Sequence, residues 1–248
     1  MKRYFTLVVA LLVSLYASDA QEVEFTADRP GAATGPATVA RGVVQWEQGV
    51  QYDGDGGVGE FTFSNTLLRF GLTDNLELRL GGDGLIHHDG VAWRAAFSGL
   101  TLGTKIGCFE GRGAIPEVSV MANFALPRVG SRGYVAEHLA PSLYVLFENG
   151  VNDWFSVGYN VGVEWDGDSV VPTTFVALAL NFSPTESVGC FIESHNYLQR
   201  GSSLYCADFG VSYMVCQRVQ LDLAANLNLA NPAAMWAVSL GIAWQINR

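Results

Sequence analysis

The stretch LLRFGLTDNLELRLG, which ends at Gly81, restricts the possible folds more than any other part of the chain. Leu76, Leu78 and Leu80 alternate with Glu77 and Arg79, so one face is apolar and the other charged, as the two-residue period of a strand requires. In the preceding run Leu68 and Phe70 take the apolar side and Arg69 the polar side. Thr73, Asp74 and Asn75 lie between the two runs and supply turn chemistry, because Asp and Asn side chains bond nearby backbone and Asn tolerates positive φ. The stretch therefore reads as a tight hairpin. It fits a soluble sheet with its apolar face inward, or a membrane barrel with that face outward.

The start of the chain bears on this choice. Lys2 and Arg3 precede an apolar run from Tyr4 to Leu15, too short to span a bilayer as a helix, and Ser18-Asp19-Ala20 offers small residues to a signal peptidase. Residues 1–20 are thus expected to be a signal peptide, with the mature chain beginning near Gln21. No later run of 18 apolar residues exists, although 49% of residues are hydrophobic, so helical spans are not expected. Charged residues are only 15% of the chain, against roughly 25% in ordinary soluble domains. A net charge of −10 argues against nucleic acid as a partner, since the chain would repel the phosphate backbone.

Residues 21–41 show neither helical nor strand period and carry Pro30 and Pro36. This segment reads either as an unstructured leader or as an ordered peptide in or under the barrel, a plug with Asp28 and Arg29 pairing to lumen groups. From 42 to 248 the chain is a succession of strands, twelve in all. They are expected at 43–52, 60–71, 75–81, 97–109, 114–126, 139–148, 154–165, 173–182, 188–195, 204–215, 219–228 and 234–247. Connections after even-numbered strands are short, and most of those after odd-numbered strands are longer. Membrane barrels show this asymmetry, with short periplasmic turns and longer outside loops.

Facing decides between barrel and sandwich. In the last strand Trp236, Val238, Leu240, Ile242 and Trp244 oppose Ala237, Ser239, Gly241, Ala243 and Gln245. Around 154–165 Phe155, Val157, Tyr159, Val161 and Val163 oppose Ser156, Gly158, Asn160, Gly162 and Glu164. The bulky faces would be buried in a sandwich, leaving small and polar faces with too little Lys and Glu for a solvated surface. Small polar faces suit a narrow barrel interior. The expected fold is all-β, a single antiparallel transmembrane β-barrel of about twelve strands with the irregular N-terminal segment near or in the lumen.

The ADRPG segment, the opening hairpin, LTLGTKIG and DFGVSYMVCQRVQLDLAANLNL together resemble the outer-membrane barrel family associated with the phenol-degradation meta-pathway. The resemblance covers most of the mature chain and implies a transporter in the outer membrane of a Gram-negative bacterium. Outer-membrane lipids, a small-molecule solute and the barrel-assembly machinery are the partners it implies. The chain departs from the usual terminal aromatic, ending Ile246-Asn247-Arg248, so that machinery would have to use Trp244 or tolerate the difference.

By facing, the lumen-lining ionisable groups are Glu47, Glu77, Glu117, Glu148, Glu164, Glu193, Asp208 and Asp222, against Arg69, Arg79 and Lys105. Arg69, Glu77 and Arg79 are expected to pair with one another. Eight carboxylates against three cations give a negative lumen, which concentrates cations. Twelve strands enclose a space between filled eight-stranded barrels and open sixteen-stranded porins. The expected function is passive passage of small solutes, aromatic or hydrophobic ones if the resemblance holds; the alternative is a non-conducting structural or surface-binding barrel.

An enzyme would need a nucleophile, a base and an orienting group together. Glu193 and His195 share a face, but no third group is evident from sequence. His87 and His88, followed by Asp89, read as a solvated patch on a long loop. Cys108, Cys190, Cys206 and Cys216 lack metal-site spacing. No cofactor, metal or catalytic residue is expected. An oxidising periplasm permits disulfides, with Cys190–Cys216 the nearest pairing, against the alternative of four free thiols.

Overall fold

The computed structural model describes residues 25–55, 58–88, 92–231 and 235–246. The signal peptide expected at 1–20 lies outside them. The strands are β1 Val44–Asp55, β2 Val58–Thr73, β3 Leu76–His88, β4 Trp93–Phe97, β5 Thr101–Phe109, β6 Glu117–Ala125 and β7 Ala140–Asn152. They continue with β8 Phe155–Glu164, β9 Thr173–Thr185, β10 Val188–Gln199, β11 Ser202–Cys216, β12 Val219–Asn228 and β13 Met235–Gln245. Apart from β4, each strand pairs antiparallel with the next around a ring, and β1 pairs with both β2 and β13, which closes it. Twelve strands form the barrel. The short β4 is extra and adds to the far half of β3, whose near half pairs with β5.

The register follows the alternation in the sequence. Leu78, Leu80, Val161, Leu221, Leu223, Val238, Leu240 and Trp244 are exposed, while Arg69, Glu77, Asn160, Asp222, Ala243 and Gln245 are buried. The large apolar side chains therefore cover the outside of a closed ring. Each would gain about 1.5–3 kcal/mol on leaving water, and lipid is the medium that supplies this for an outward face. Gln48, Ser64 and Thr66 also point outward, and they bond one another: Thr66 Oγ1 donates to Gln48 Oε1 at 2.7 Å, and Ser64 and Thr66 hydroxyls lie 2.9 Å apart. Polar groups facing hydrocarbon need such internal partners.

The opening hairpin is β2–β3, with Arg69 opposite Arg79 and Phe70 opposite Leu78. Its turn is Asp74-Asn75, and Thr73 Oγ1 donates to Asn75 Oδ1 at 2.9 Å. Three sequence expectations are corrected. The strand expected at 97–109 is broken after Phe97, because Gly99 adopts φ 104° and the chain steps sideways before β5 begins. His87 and His88 lie in β3 rather than on a loop, and His87 Nδ1 is 2.6 Å from the Tyr134 hydroxyl. The loop-length alternation is weaker than expected, since β10 and β11 run on through polar residues until only Arg200-Gly201 separates them. The long connections that remain are 126–139 and 165–172.

Candidate functional site

Residues 25–43 form no strand and cross the inside of the barrel. A buried segment without secondary structure must find side-chain partners for its backbone. Here the wall supplies them. Glu47 accepts from Asp28 N at 3.2 Å, Glu193 from Ala32 N at 2.7 Å and Ala33 N at 3.1 Å, and Glu77 from Val39 N at 2.9 Å. Asn160 does both jobs at Thr34, accepting from its N–H at 2.8 Å and donating to its carbonyl at 2.9 Å. Arg69 donates to Thr26 O at 2.8 Å, Lys105 to Gly35 O at 2.9 Å and Ser119 to Pro36 O at 2.5 Å. The inward polar residues of β1, β2, β3, β5, β6, β8 and β10 thus replace the ladder that this segment lacks.

Charge fixes its position. Arg69 lies 2.9 Å from Glu47 and 2.8 Å from Glu77, and Arg79 lies 2.6 Å from Glu77. With Lys105, the wall presents three cations to these two carboxylates. Asp28 supplies the missing negative charge, 2.9 Å from Lys105, 2.5 Å from Arg79 and 3.4 Å from Arg69. Burial pushes the Asp28 carboxyl up, but Arg69, Lys105 and Arg79 outweigh it and hold it well below the usual carboxylate range. The next residue makes the opposite match: Arg29 lies 3.1 Å from Asp222 on β12 and also donates to Asn65 at 3.0 Å. Gly49 on β1 and Gly241 on β13 are directly opposed, and a Cβ on either would strike the Arg29 guanidinium, so these glycines form the slot that admits it.

The remaining inward carboxylates lie on the other arc of the wall. Glu117 faces Glu148 across β6 and β7, and Ser156 donates to Glu148 at 2.6 Å. Tyr144 donates to Glu164 at 2.7 Å. Asp208 faces Glu193 across β10 and β11 and accepts from Asn226. Asp208 and His195 come within 3.5 Å, so an orienting group that the sequence reading did not find stands beside Glu193 and His195. Cys206, buried and free, stands directly opposite His195 across β10 and β11, and among the described residues no Ser, Thr or Cys hydrogen-bonds the imidazole.

An inward aromatic cluster was missed from the sequence. Phe175 lies 5.8 Å from Tyr144 and 5.2 Å from Tyr197 between ring centres, and Tyr197 lies 5.8 Å from His195. The signal was present: Tyr197 continues the parity of Glu193 and His195, two residues beyond the expected strand end. On the side of the segment nearer the short turns is a cavity of about 690 Å3, bordered by Gly31, Glu148, Ser156, Phe191, Ser212 and Gln220. All four cysteines are free, the alternative that stood beside a Cys190–Cys216 pairing. Cys190 stands opposite Val211 and Cys216 opposite Val219, too far apart along the strands to bridge.

A closed antiparallel barrel with an apolar outer wall and a polar lumen crossed by its own N-terminal segment defines a membrane β-barrel. Residues 27–246 match the model of the family described as "Putative MetA-pathway of phenol degradation", and the chain belongs to that family. No curated protein matches the sequence. Among solved structures it is similar to an outer membrane channel from Pseudomonas putida F1, at 11% identity and TM-score 0.65, covering 87% of this chain and 98% of that one. It is also similar to the NanC porin, at 7% identity and TM-score 0.60 over 81% of this chain and 100% of that one. The KdgM porin, in complex with oligogalacturonate, gives 9% identity and TM-score 0.58 over 81% and 99%. At these identities the likeness is one of fold.

Proposed function

We propose that the protein is an outer-membrane channel for passive passage of small solutes, held closed by residues 25–43. The observation that carries this is the charge match of the plug. Asp28 and Arg29 cancel one wall charge of each sign, which suits a seal that can be displaced rather than a filled core. The arc carrying Glu148, Glu164, Glu193 and Asp208 is held by hydroxyls, amides and plug N–H groups, so it keeps a negative field. That field favours neutral and cationic solutes. The Tyr144–Phe175–Tyr197 cluster offers aromatic faces to a ring or apolar chain, in keeping with the family's link to phenol degradation. Export by the N-terminal signal and residence in the outer membrane complete the reading.

Reconstitution in planar bilayers tests it. The full-length barrel should show small cation-selective conductance that rises when residues 21–41 are deleted. Silence from both proteins, each shown to be folded by faster gel migration before boiling, would overturn the channel reading in favour of a structural barrel.

A further inference from the structure

We propose that Glu193, His195 and Asp208 form a binding site for a divalent transition metal of the zinc class, set where the plug meets the wall. The three donors lie within 4.8 Å of one another and all three residues are buried. His195 is 5% exposed, and its Nδ1 has no hydrogen-bond partner. A buried ring nitrogen left unbonded carries the full cost of its lost hydration. Two carboxylate oxygens converge on this same atom, Glu193 Oε1 at 3.5 Å and Asp208 Oδ2 at 3.5 Å. That separation is too long for a good hydrogen bond. It is the spacing of ligands around a tetrahedral ion, for which bonds of about 2.1 Å place donors about 3.4 Å apart.

The surroundings hold the donors in place. Asn226 donates to Asp208 Oδ1, which leaves Oδ2 turned to the imidazole. Ala32 N fixes Glu193 Oε1 from the plug side, and Ala33 N fixes Oε2. Partners of this kind orient ligands and raise metal affinity. Charge also calls for a cation. Glu193 and Asp208 face each other across the β10–β11 ladder, while Arg29 is taken by Asp222 and Arg69, Arg79 and Lys105 by Asp28, Glu47 and Glu77. One proton on His195 would offset half of the pair's charge; a divalent ion offsets all of it. An imidazole with two carboxylates selects zinc, cobalt or nickel over calcium and magnesium, which prefer all-oxygen shells. Cysteine and histidine spacing in the sequence gave no hint of this site because the ligands come from two strands.

The untagged full-length barrel, freed of metal with chelator, is titrated with Zn2+ by calorimetry and with Co2+ by visible absorption. The expected result is one saturable equivalent and tetrahedral cobalt bands. His195→Gln and Asp208→Asn should each weaken binding by at least about 100-fold, and Asn226→Ala by about 10–100-fold. Glu110→Gln, an exposed carboxylate on the 110–116 connection, should leave affinity unchanged. Heat-modified mobility confirms folding of every variant. Absence of saturable binding in the folded wild type, or equal affinity in wild type, His195→Gln and Asp208→Asn, would overturn the proposal.

Discussion

The guanidinium of Arg29 lies 3.1 Å from the carboxylate of Asp222, an ion pair that spans 193 residues of chain. It ties the N-terminal segment to β12, the penultimate strand of the barrel. Reversing one partner should release the plug, and reversing both should restore it. Arg29→Asp is expected to raise single-channel conductance, and Arg29→Asp with Asp222→Arg to return it toward the wild-type level. Equal conductance in single and double variants would show that the pair does not hold the seal.

Asp28 completes a cluster in which Arg69, Arg79 and Lys105 otherwise outnumber Glu47 and Glu77. Asp28→Ala leaves a buried positive charge uncancelled. Loss of a buried partner costs up to about 3–5 kcal/mol, and release of the plug into water would relieve part of it. We expect a less cation-selective and more conductive channel, measured by reversal potential in a salt gradient.

Glu77 touches Arg69, Arg79 and the Val39 amide at once. Glu77→Leu should lower thermal stability, by about 3–5 kcal/mol at most, and slow assembly of the heat-modifiable form. Unchanged unfolding would mean that water satisfies the two arginines without it.

The depressed Asp28 acidity has a signed consequence. A carboxyl whose folded pKa lies below its unfolded value stabilises the fold above the unfolded pKa, and that contribution is lost as pH falls through the folded pKa. Acidification from neutrality to about pH 5, still above the ordinary Asp value of about 3.9, should therefore leave the Asp28 anchor intact. Protease cleavage within residues 25–43, followed by mass spectrometry, should be no faster at the lower pH once corrected for protease activity.

Facing predicts a sharp asymmetry between adjacent residues of β12. Leu223 is exposed on the outer wall and Ala224 is buried inside. Leu223→Arg should cost about 2–4 kcal/mol in lipid, read by urea unfolding in liposomes. A cost near zero would place Leu223 away from the hydrocarbon.

The barrel was legible because period two persists wherever lipid is on one side and lumen on the other. β8, β12 and β13 carry that signal without interruption, and their inward and outward sets agree with the structure. What failed lies where that contrast fades. β3 and β10 run on past their alternating stretches through polar residues, where the pattern reads as loop although His87 and His88 lie in β3. Gly99 breaks a strand that its neighbours' pattern carries through. Within the site, Asp28 and Arg29 stood out as charges in an otherwise small-residue segment. Their partners could not be read, because ring closure sets which strands stand near which part of the plug. The same limit hid the approach of Asp208 to His195, and it left the choice between a Cys190–Cys216 pairing and free thiols open, because counting strands gives no register.

The plug's anchors are also spread along the chain: Glu47, Glu77 and Lys105 early, Asn160 midway, Glu193 and Asp222 late. Ordering it against those late residues requires closure of long loops, which is entropically slow. Residues 25–43 precede every strand in sequence, yet their berth is complete only after β13 has met β1. Full seating therefore requires the closed ring, and a closed barrel whose segment has yet to seat is expected to be open.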